Sequence, residues 1–321
     1  EPTDGEDNQP TQNDSSGSTA GGDSSSNPTD TQSPTPSRTE EAVVGQVVAS
    51  QQLSMVVRGT STTNQLSQFQ TAESGNTFLV IDLAVKNRTE SEFANFSSFL
   101  QTTLTDGESY SYDPSISTGE GSFQGGQLAP GEVARGTIPF EVPEDAGDFE
   151  LQFDFSSFSF TNINRVFIDL SESASQIGDV EQTLQVPINS VGDTVERQNT
   201  AVTINSVDFT SQVGGQYGTQ ADSGNEFAIA DISVSNNTDQ DLNISPSIQM
   251  TMKDSTVAGY SSSLVATSQL DQSFDVSSAI ASGRSRRGKI AFEVPQSANT
   301  LYTTFEFSLF ATGDKAFWQV K

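Results

Sequence analysis

Two nine-residue stretches of the chain nearly coincide: Arg135-Gly-Thr-Ile-Pro-Phe-Glu-Val-Pro143 and Arg287-Gly-Lys-Ile-Ala-Phe-Glu-Val-Pro295 match at seven of nine positions, 152 residues apart. A second pair lies upstream of each. Gly75-Asn76 leads into Phe78-Leu-Val-Ile-Asp-Leu-Ala-Val-Lys-Asn87, and Gly224-Asn225 leads into Phe227-Ala-Ile-Ala-Asp-Ile-Ser-Val-Ser-Asn236. The landmarks keep their order and a near-constant offset over a period far longer than a solenoid repeat, so they mark two copies of one complete domain. In 321 residues this leaves 44–170 and 190–321 for the domains, 1–43 ahead of them and the polar stretch 171–189 as a linker between them.

Within each copy the apolar residues alternate with a period of two. Leu79, Ile81, Leu83 and Val85 fall on one face of a strand, with Asp82 and Lys86 on the other; Ala228, Ala230, Ile232 and Val234 repeat the pattern, with Asp231 opposite. In the signature strand Ile138, Phe140 and Val142 point inward and Glu141 outward. Pro139 cannot donate to a ladder and places that strand at a sheet edge. The segment Phe149-Glu-Leu-Gln-Phe-Asp-Phe155 alternates without a fault, and Phe305-Glu-Phe307 sits at the same 152-residue offset. Phe140 and Phe292, like Phe153 and Phe305, should therefore be equivalent core positions. Convincing helical periodicity appears nowhere. About seven short strands per copy, separated by turn signals, predict an all-β chain of two tandem immunoglobulin-like antiparallel β-sandwiches.

Residues 1–41 contain no aromatic residue and no Val, Ile, Leu or Met, while Ser and Thr fill 15 positions and Pro five. Such a segment cannot offset the entropy of ordering, so disorder is expected, with an end-to-end distance of roughly 35 Å for a flexible coil. As a bare tail it has no further role; as a stalk it would hold the domains away from a membrane anchor and offer sites for O-glycans.

The formal charge of −28 comes from 42 acidic and 14 basic residues, and acids exceed bases in the tail and in both copies. Such a surface repels nucleic acid and anionic lipid, which argues against a nucleic-acid partner. It resembles the surfaces of proteins from halophilic archaea, as does the presence of only five lysines. Cysteine and histidine are both absent, which removes disulfides, thiolate chemistry, the usual transition-metal ligands and the commonest general base. No cofactor is expected. No run of 18 apolar residues is present, and the chain starts at Glu1, as expected of a processed product whose signal segment precedes it.

Taken together, the Val-Gly start, the Gly-Asn turn, the apolar strand ending in Asn87 or Asn236, and Leu128-Ala-Pro-Gly131 followed by the Phe-Glu-Val-Pro strand resemble the domain of unknown function 4352 family. These are immunoglobulin-like extracellular domains common in prokaryotic lipoproteins, similar in fold to a secreted mycobacterial immunoprotective antigen. The second copy departs from the pattern, with Ile280-Ala-Ser-Gly283 replacing Leu-x-Pro-Gly. The resemblance implies export, attachment to the cell surface through a lipidated cysteine ahead of Glu1, and no established catalytic activity.

The candidate sites each have a plainer structural reading beside the functional one. Asp106 and Glu108, and Asp239 and Asp241, cluster as oxygen ligands for Ca²⁺ or Na⁺ would, or are solvated loop acids. The sequons at Asn13, Asn87, Asn95, Asn236 and Asn243 permit N-glycosylation in an exported chain; at Asn87 and Asn236 asparagine also suits a turn. Arg284 and Arg286 belong to the sole basic cluster and could meet an anionic glycan or acidic protein, whereas Arg287 aligns with Arg135 and should pair with a carboxylate in both copies. A carboxylate pair could hydrolyse glycosides, but no Ser-x-x-Lys is present and no histidine activates the hydroxyls, so no enzyme is expected. Two functions follow: a cell-surface module that binds an unknown protein or glycan, and a structural spacer without a ligand. Exposure of Tyr110, Tyr112 and Phe123 would favour binding; burial would favour the spacer.

Overall fold

The structure, a computed structural model, describes residues 38–67, 70–116, 121–123, 125–155, 163–308 and 314–321. Residues 1–37 of the expected stalk, with the sequon at Asn13, lie outside the described residues; its last residues were misassigned, since the backbone from Thr39 to Val43 pairs with that from Arg165 to Asp169 and the first sandwich begins at Thr39 rather than at residue 44. The first repeat supplies β1 (Thr39–Val44), β2 (Leu53–Thr63), β3 (Asn76–Asn87), β4 (Thr102–Thr105), β5 (Ser111–Tyr112), β6 (Val133–Pro143), β7 (Glu150–Asp154) and β8 (Arg165–Ser173). One sheet runs β1-β8-β7-β4-β5, and the other runs β6-β3-β2 with Val48–Ala49 at its far edge. Leu79, Ile81, Leu83 and Val85 from one sheet and Leu104, Leu151, Phe153 and Ile168 from the other share one buried cluster. The period-two pattern thus does what its chemistry dictates, each sheet hiding its apolar face against the other.

The second repeat supplies β9 (Ile188–Ser190), β10 (Thr194–Arg197), β11 (Thr200–Thr210), β12 (Asn225–Asn236), β13 (Met250–Asp254), β14 (Gly259–Ser261), β15 (Ser285–Pro295), β16 (Leu301–Glu306) and β17 (Lys315–Gln319). Its sheets run β9-β17-β16-β13-β14 and β10-β11-β12-β15, closing over Ala228, Ile232, Phe292, Phe305 and Trp318. Phe140, Phe292, Phe153 and Phe305 are all fully buried, at the equivalent positions expected of them. Both signature strands, β6 and β15, lie at sheet edges, as Pro139 requires. Helix is confined, among the described residues, to single turns such as Ser98–Gln101, Pro246–Gln249 and Leu264–Ser268, and no helix is long and apolar enough to cross a membrane.

One pairing departs from the antiparallel expectation. The first strand of each repeat lies parallel to the last, β1 beside β8 and β9 beside β17. The hydrophobic alternation fixes which face of a strand is buried but not which neighbour it takes, so strand direction was not legible in it.

The stretch between the repeats is not a free linker. Val180 is buried among Val56, Ala84 and Val133 on the outer face of the β6-β3-β2 sheet. Thr183 N–H and Gln185 N–H donate to the carbonyls of Gly131 and Pro130, Lys86 Nζ donates to Glu181 O at 2.6 Å, and Arg58 pairs with Asp179 at 2.6 Å. Residues 174–185 form a strap along the first sandwich, and the segment free to act as a hinge shrinks accordingly.

Candidate functional site

The polar residues that recur in both copies are committed to the fold. Asn87 and Asn236 are wholly buried where their strands end. Asn87 Nδ2 donates to the carbonyls of Glu92 and Leu128, at 2.7 and 2.9 Å, and its Oδ1 accepts from the N–H and hydroxyl of Thr89. Asn236 repeats this with Gln240, Ile280 and Thr238. The Asn-x-Thr spacing at these two positions is thus a turn-locking motif, and the folded domain leaves no room for a glycan on either amide. Asn95 and Asn243, the other equivalent pair of sequons, are exposed.

Arg135 grips Asp82 with two parallel hydrogen bonds of 3.2 and 2.8 Å, and Arg287 grips Asp231 with two of 2.8 Å. The Arg287 guanidinium, opposed by partial burial and helped by Asn205, holds the Asp231 carboxyl below the usual carboxylate range. Glu141 accepts from Glu73 N–H and Asn76 Nδ2, and Glu293 accepts from Asp222 N–H and Asn225 Nδ2, so the glutamate of Phe-Glu-Val pins the loop that carries the Gly-Asn turn. Asp82, Glu141 and Asp231 are therefore paired residues rather than free surface acids. The glycine after the signature arginine has its own reason: a Cβ on Gly136 would lie 2.5 Å from Phe123 Cα, and one on Gly288 2.4 Å from Phe274 Cα.

The metal candidates separate from one another. Asp106 accepts from the N–H groups of Glu108 and Tyr110 and from the Tyr112 hydroxyl at 2.7 Å, holding the β4–β5 hairpin. Partial desolvation works against ionisation, but those hydrogen bonds outweigh it and lower the Asp106 pKa; burial, then the bond to Asp106 and its charge, push the Tyr112 phenol up to about 12. Asp254 repeats the arrangement with Tyr260 in the second copy. Asp239 and Asp241 are exposed loop acids. Among the described residues no group of three or more acids converges as a metal site would demand. The Asp106 hairpin and Asp145–Asp148 border an open acidic cleft of about 540 Å³.

The two arginines singled out differ as well. Arg286 donates to the carbonyls of Asp275, Ser278 and Ala279 and covers the Phe274 ring, which clamps the loop before β15 and leaves little of it for a partner. Arg284 is exposed. Of the three aromatic residues, Phe123 is buried edge-to-face on Phe96, Tyr112 is half-buried against Phe149, and Tyr110 alone is exposed.

What the sequence does not reveal is a buried charge cluster between the sandwiches. Glu132, wholly buried in the corner before β6, accepts from Lys253 Nζ on β13 and from Lys315 Nζ on β17, the latter at 2.8 Å. Lys253 also donates to Val133 O at 3.0 Å, Lys315 to Gln127 O at 3.0 Å, and Glu306 lies 3.6 Å from Lys315. Burial favours the neutral forms. It lowers the Lys253 pKa to about 8 despite Glu132 and raises that of Glu306; at Glu132 the two lysines overcome burial, and at Lys315 the two glutamates do, so that pair stays charged. Beside the cluster, Val257 packs onto Val56, Ala84 and Val133, and Arg135 and Ala258 form a parallel bridge. Within the second sandwich an apolar groove of about 430 Å³ is floored by Phe274 and Ile290 and flanked by Leu264 and Val276. Leu264 and Val276 are well exposed.

No curated protein matches the chain. Among solved structures, an uncharacterized β-sandwich protein of Clostridium difficile 630 is 18% identical, covers 42% of this chain and 95% of its own, and has a TM-score of 0.31. A candidate lipoprotein of Bacillus subtilis, ycdA, is 18% identical over 40% of this chain and 39% of its own, with a TM-score of 0.33. The secreted protein MPT63 of Mycobacterium tuberculosis is 11% identical over 42% of this chain and 99% of its own, with a TM-score of 0.33. A model of one family, described as Domain of unknown function (DUF4352), matches residues 42–163 and again 189–316, and the chain belongs to that family as a tandem pair of its domains.

Proposed function

We propose that the chain is a non-catalytic spacer at the cell surface, exported, held by a lipid anchor ahead of its polar N-terminal stretch and working in high salt, in which two sandwiches act as one stiff body. The observation that carries this reading is the Glu132–Lys253–Lys315 cluster, whose four-way arrangement with Glu306 fixes the corner of one sandwich on the sheet of the other. A flexible tandem pair would leave those charges in water, where they cost nothing to keep; burial demands that each find its partner, so the mutual position of the sandwiches is specified. The polar motif residues are all consumed by turns and strand ends, and two of the three candidate contact aromatics are packed away, which favours a spacer over a binding module. The groove beside Leu264 and Val276 keeps a second reading, protein binding by the outer sandwich, in view.

Small-angle scattering of the full chain tests the spacer reading. A fixed separation between the sandwiches is expected, together with a broadened distribution of separations in Glu132→Ala, which strands two lysines in a buried site. A wild-type profile that fits only independently moving domains would overturn it.

A further inference from the structure

Two ammonium groups in the joint between the sandwiches share one oxygen. Lys253 Nζ and Lys315 Nζ both donate to Glu132 Oε1, while Glu132 Oε2 accepts from Ala129 N–H at 2.7 Å. Both lysines are almost wholly closed to water, so the two like charges repel each other with little solvent or salt to screen them. Glu306 relieves this unequally: it lies 3.6 Å from Lys315 and has no ion pair with Lys253 among the described residues. Of the two, Lys253 is the one less able to keep its charge.

Donors counted against acceptors give the same assignment. An ammonium has three N–H donors and a neutral amine two. Lys315 faces three acceptors, Gln127 O at 3.0 Å, Glu132 Oε1 at 2.8 Å and Glu306 Oε1 at 3.6 Å, and has a use for every proton. Lys253 faces two, Glu132 Oε1 and Val133 O, and as a neutral amine it satisfies both. Both belong to the first sandwich, so Lys253 is held this way only while the sandwiches are docked; parted, it lies in water on the outer face of β13. Around it, Glu132 in the corner and Glu306 on β16 attract the ammonium, Lys315 on β17 repels it, and Tyr302 on β16 stands opposite in register. Asp254 on its own strand is occupied by Thr256, Ala258 and Tyr260, and Arg135 on β6, beside Ala258, by Asp82.

We propose that docking of the sandwiches is coupled to the release of one proton, from Lys253, so that the joint tightens as a mildly alkaline medium becomes more alkaline. The proton passes to solvent as the joint closes and returns as it opens. The inference rests on the stiff docked pair proposed above and adds what governs its hold. Burial, opposed by Glu132 and reinforced by Lys315, brings Lys253 down from 10.5 to about 8 in the docked pair. Below about 8 the lysine is charged whether docked or parted, and its burial weighs against docking in full. Between about 8 and 10.5 it is neutral when docked and charged when parted, so rising pH favours docking; beyond that the effect saturates. Lys315, where two glutamates outweigh burial, is held above 10.5 and loosens the joint only past this window. Glu132 and Glu306 move from a carboxylate's 4.5, on the acid side.

The full chain in molar NaCl, labelled with ¹³C at the lysine Cε atoms, tests this by NMR titration. One resonance, absent from Lys253→Met, is expected to shift near pH 8, where an ordinary lysine shifts near 10.5. The chain has no cysteine, so Glu90→Cys and Asp239→Cys, at exposed positions on the two sandwiches, take a dye pair that reads their separation. In urea that opens the pair part-way, the ratio of docked to open chains is expected to rise at least about tenfold from about pH 8 to about pH 10. The same linkage holds whether the joint opens alone or with the sandwiches, since either leaves Lys253 in water. In Lys253→Met, never charged, and Lys253→Arg, never neutral, the rise should be less than about twofold. The absence of a lysine titrating near pH 8, a wild-type ratio that stays level or falls, or an undiminished rise in either variant would each overturn the proposal. Scattering without urea at about pH 7 separates the two readings: sandwiches that move independently defeat both, whereas a docked pair indifferent to pH defeats this one alone.

Discussion

At the scale of single residues, the recurring asparagine shows how a glycosylation sequon can be a structural device. Asn87 satisfies two carbonyls and two donors at once in a buried pocket. Asn87→Ala leaves those groups unpaired and is expected to cost roughly 2 to 4 kcal/mol in denaturant unfolding, against about 0.5 kcal/mol or less for exposed Asn95→Ala. The Asp231–Arg287 pair gives a pH signature. Its folded pKa is depressed below 3.8, so its contribution is complete above that value and is lost as pH falls through the lower folded one. Asp231→Asn should therefore flatten the acid limb of the stability profile measured by denaturant unfolding. Sequence alone predicted that Arg287 pairs with a carboxylate, because it aligns with Arg135 at the 152-residue offset, but not that the partners are Asp82 and Asp231 on the neighbouring strand. It left Arg286 open as a contact for an anionic partner, since nothing in the spacing announced that the carbonyls of 275–279 would curl around it.

At the scale of elements, core strands were legible and contacts between the sandwiches were not. Alternation in β3 and β12 gave the buried faces, and the prolines and glycines gave the turns, because both signals are local. Lys253 alternates out of the core of its own sandwich and reads as a surface lysine; only the arrival of Glu132 from 121 positions away makes it a buried one. The strap eluded sequence reading for a related reason. Val180 is one apolar residue in a polar stretch, too little for a periodicity, yet it seals the outer face of a sheet. Val180→Asp places a charge there, and faster amide exchange is expected at Thr183 and Gln185 while β3 stays protected. Equal protection of those two amides in the variant would show that the hydrogen bonds to Gly131 and Pro130 hold the strap without the valine.

The whole molecule carries a threefold excess of acids, 42 against 14, and most of its arginines and lysines are already spoken for by nearby carboxylates. The remaining acids repel one another across two compact bodies, and unfolding relieves that repulsion. At molar salt the Debye length shrinks to about 3 Å, so the melting temperature is expected to rise steeply from dilute buffer to molar NaCl or KCl. Millimolar Ca²⁺ should add nothing beyond equal ionic strength, since Asp106 is occupied by its own hairpin. A melting temperature indifferent to salt would remove the high-salt habitat from the functional reading. The cluster at Glu132 is closed to solvent and should keep its hold at every ionic strength, so scattering at low and high salt should give the same separation of the sandwiches wherever both are folded.

The parallel pairing of first and last strands bears on tension. In a parallel pair the chain enters β1 at one end of the ladder and leaves β8 at the other, so a pull along the chain slides the two strands past each other. All hydrogen bonds between them are loaded together, whereas an antiparallel pair pulled from its two ends at one side opens one bond at a time. The same holds where β9 meets β17. Anything that drags on the far end of the molecule, flowing liquid or a neighbouring cell, meets each sandwich in its shear direction, the one in which a β-ladder gives way last.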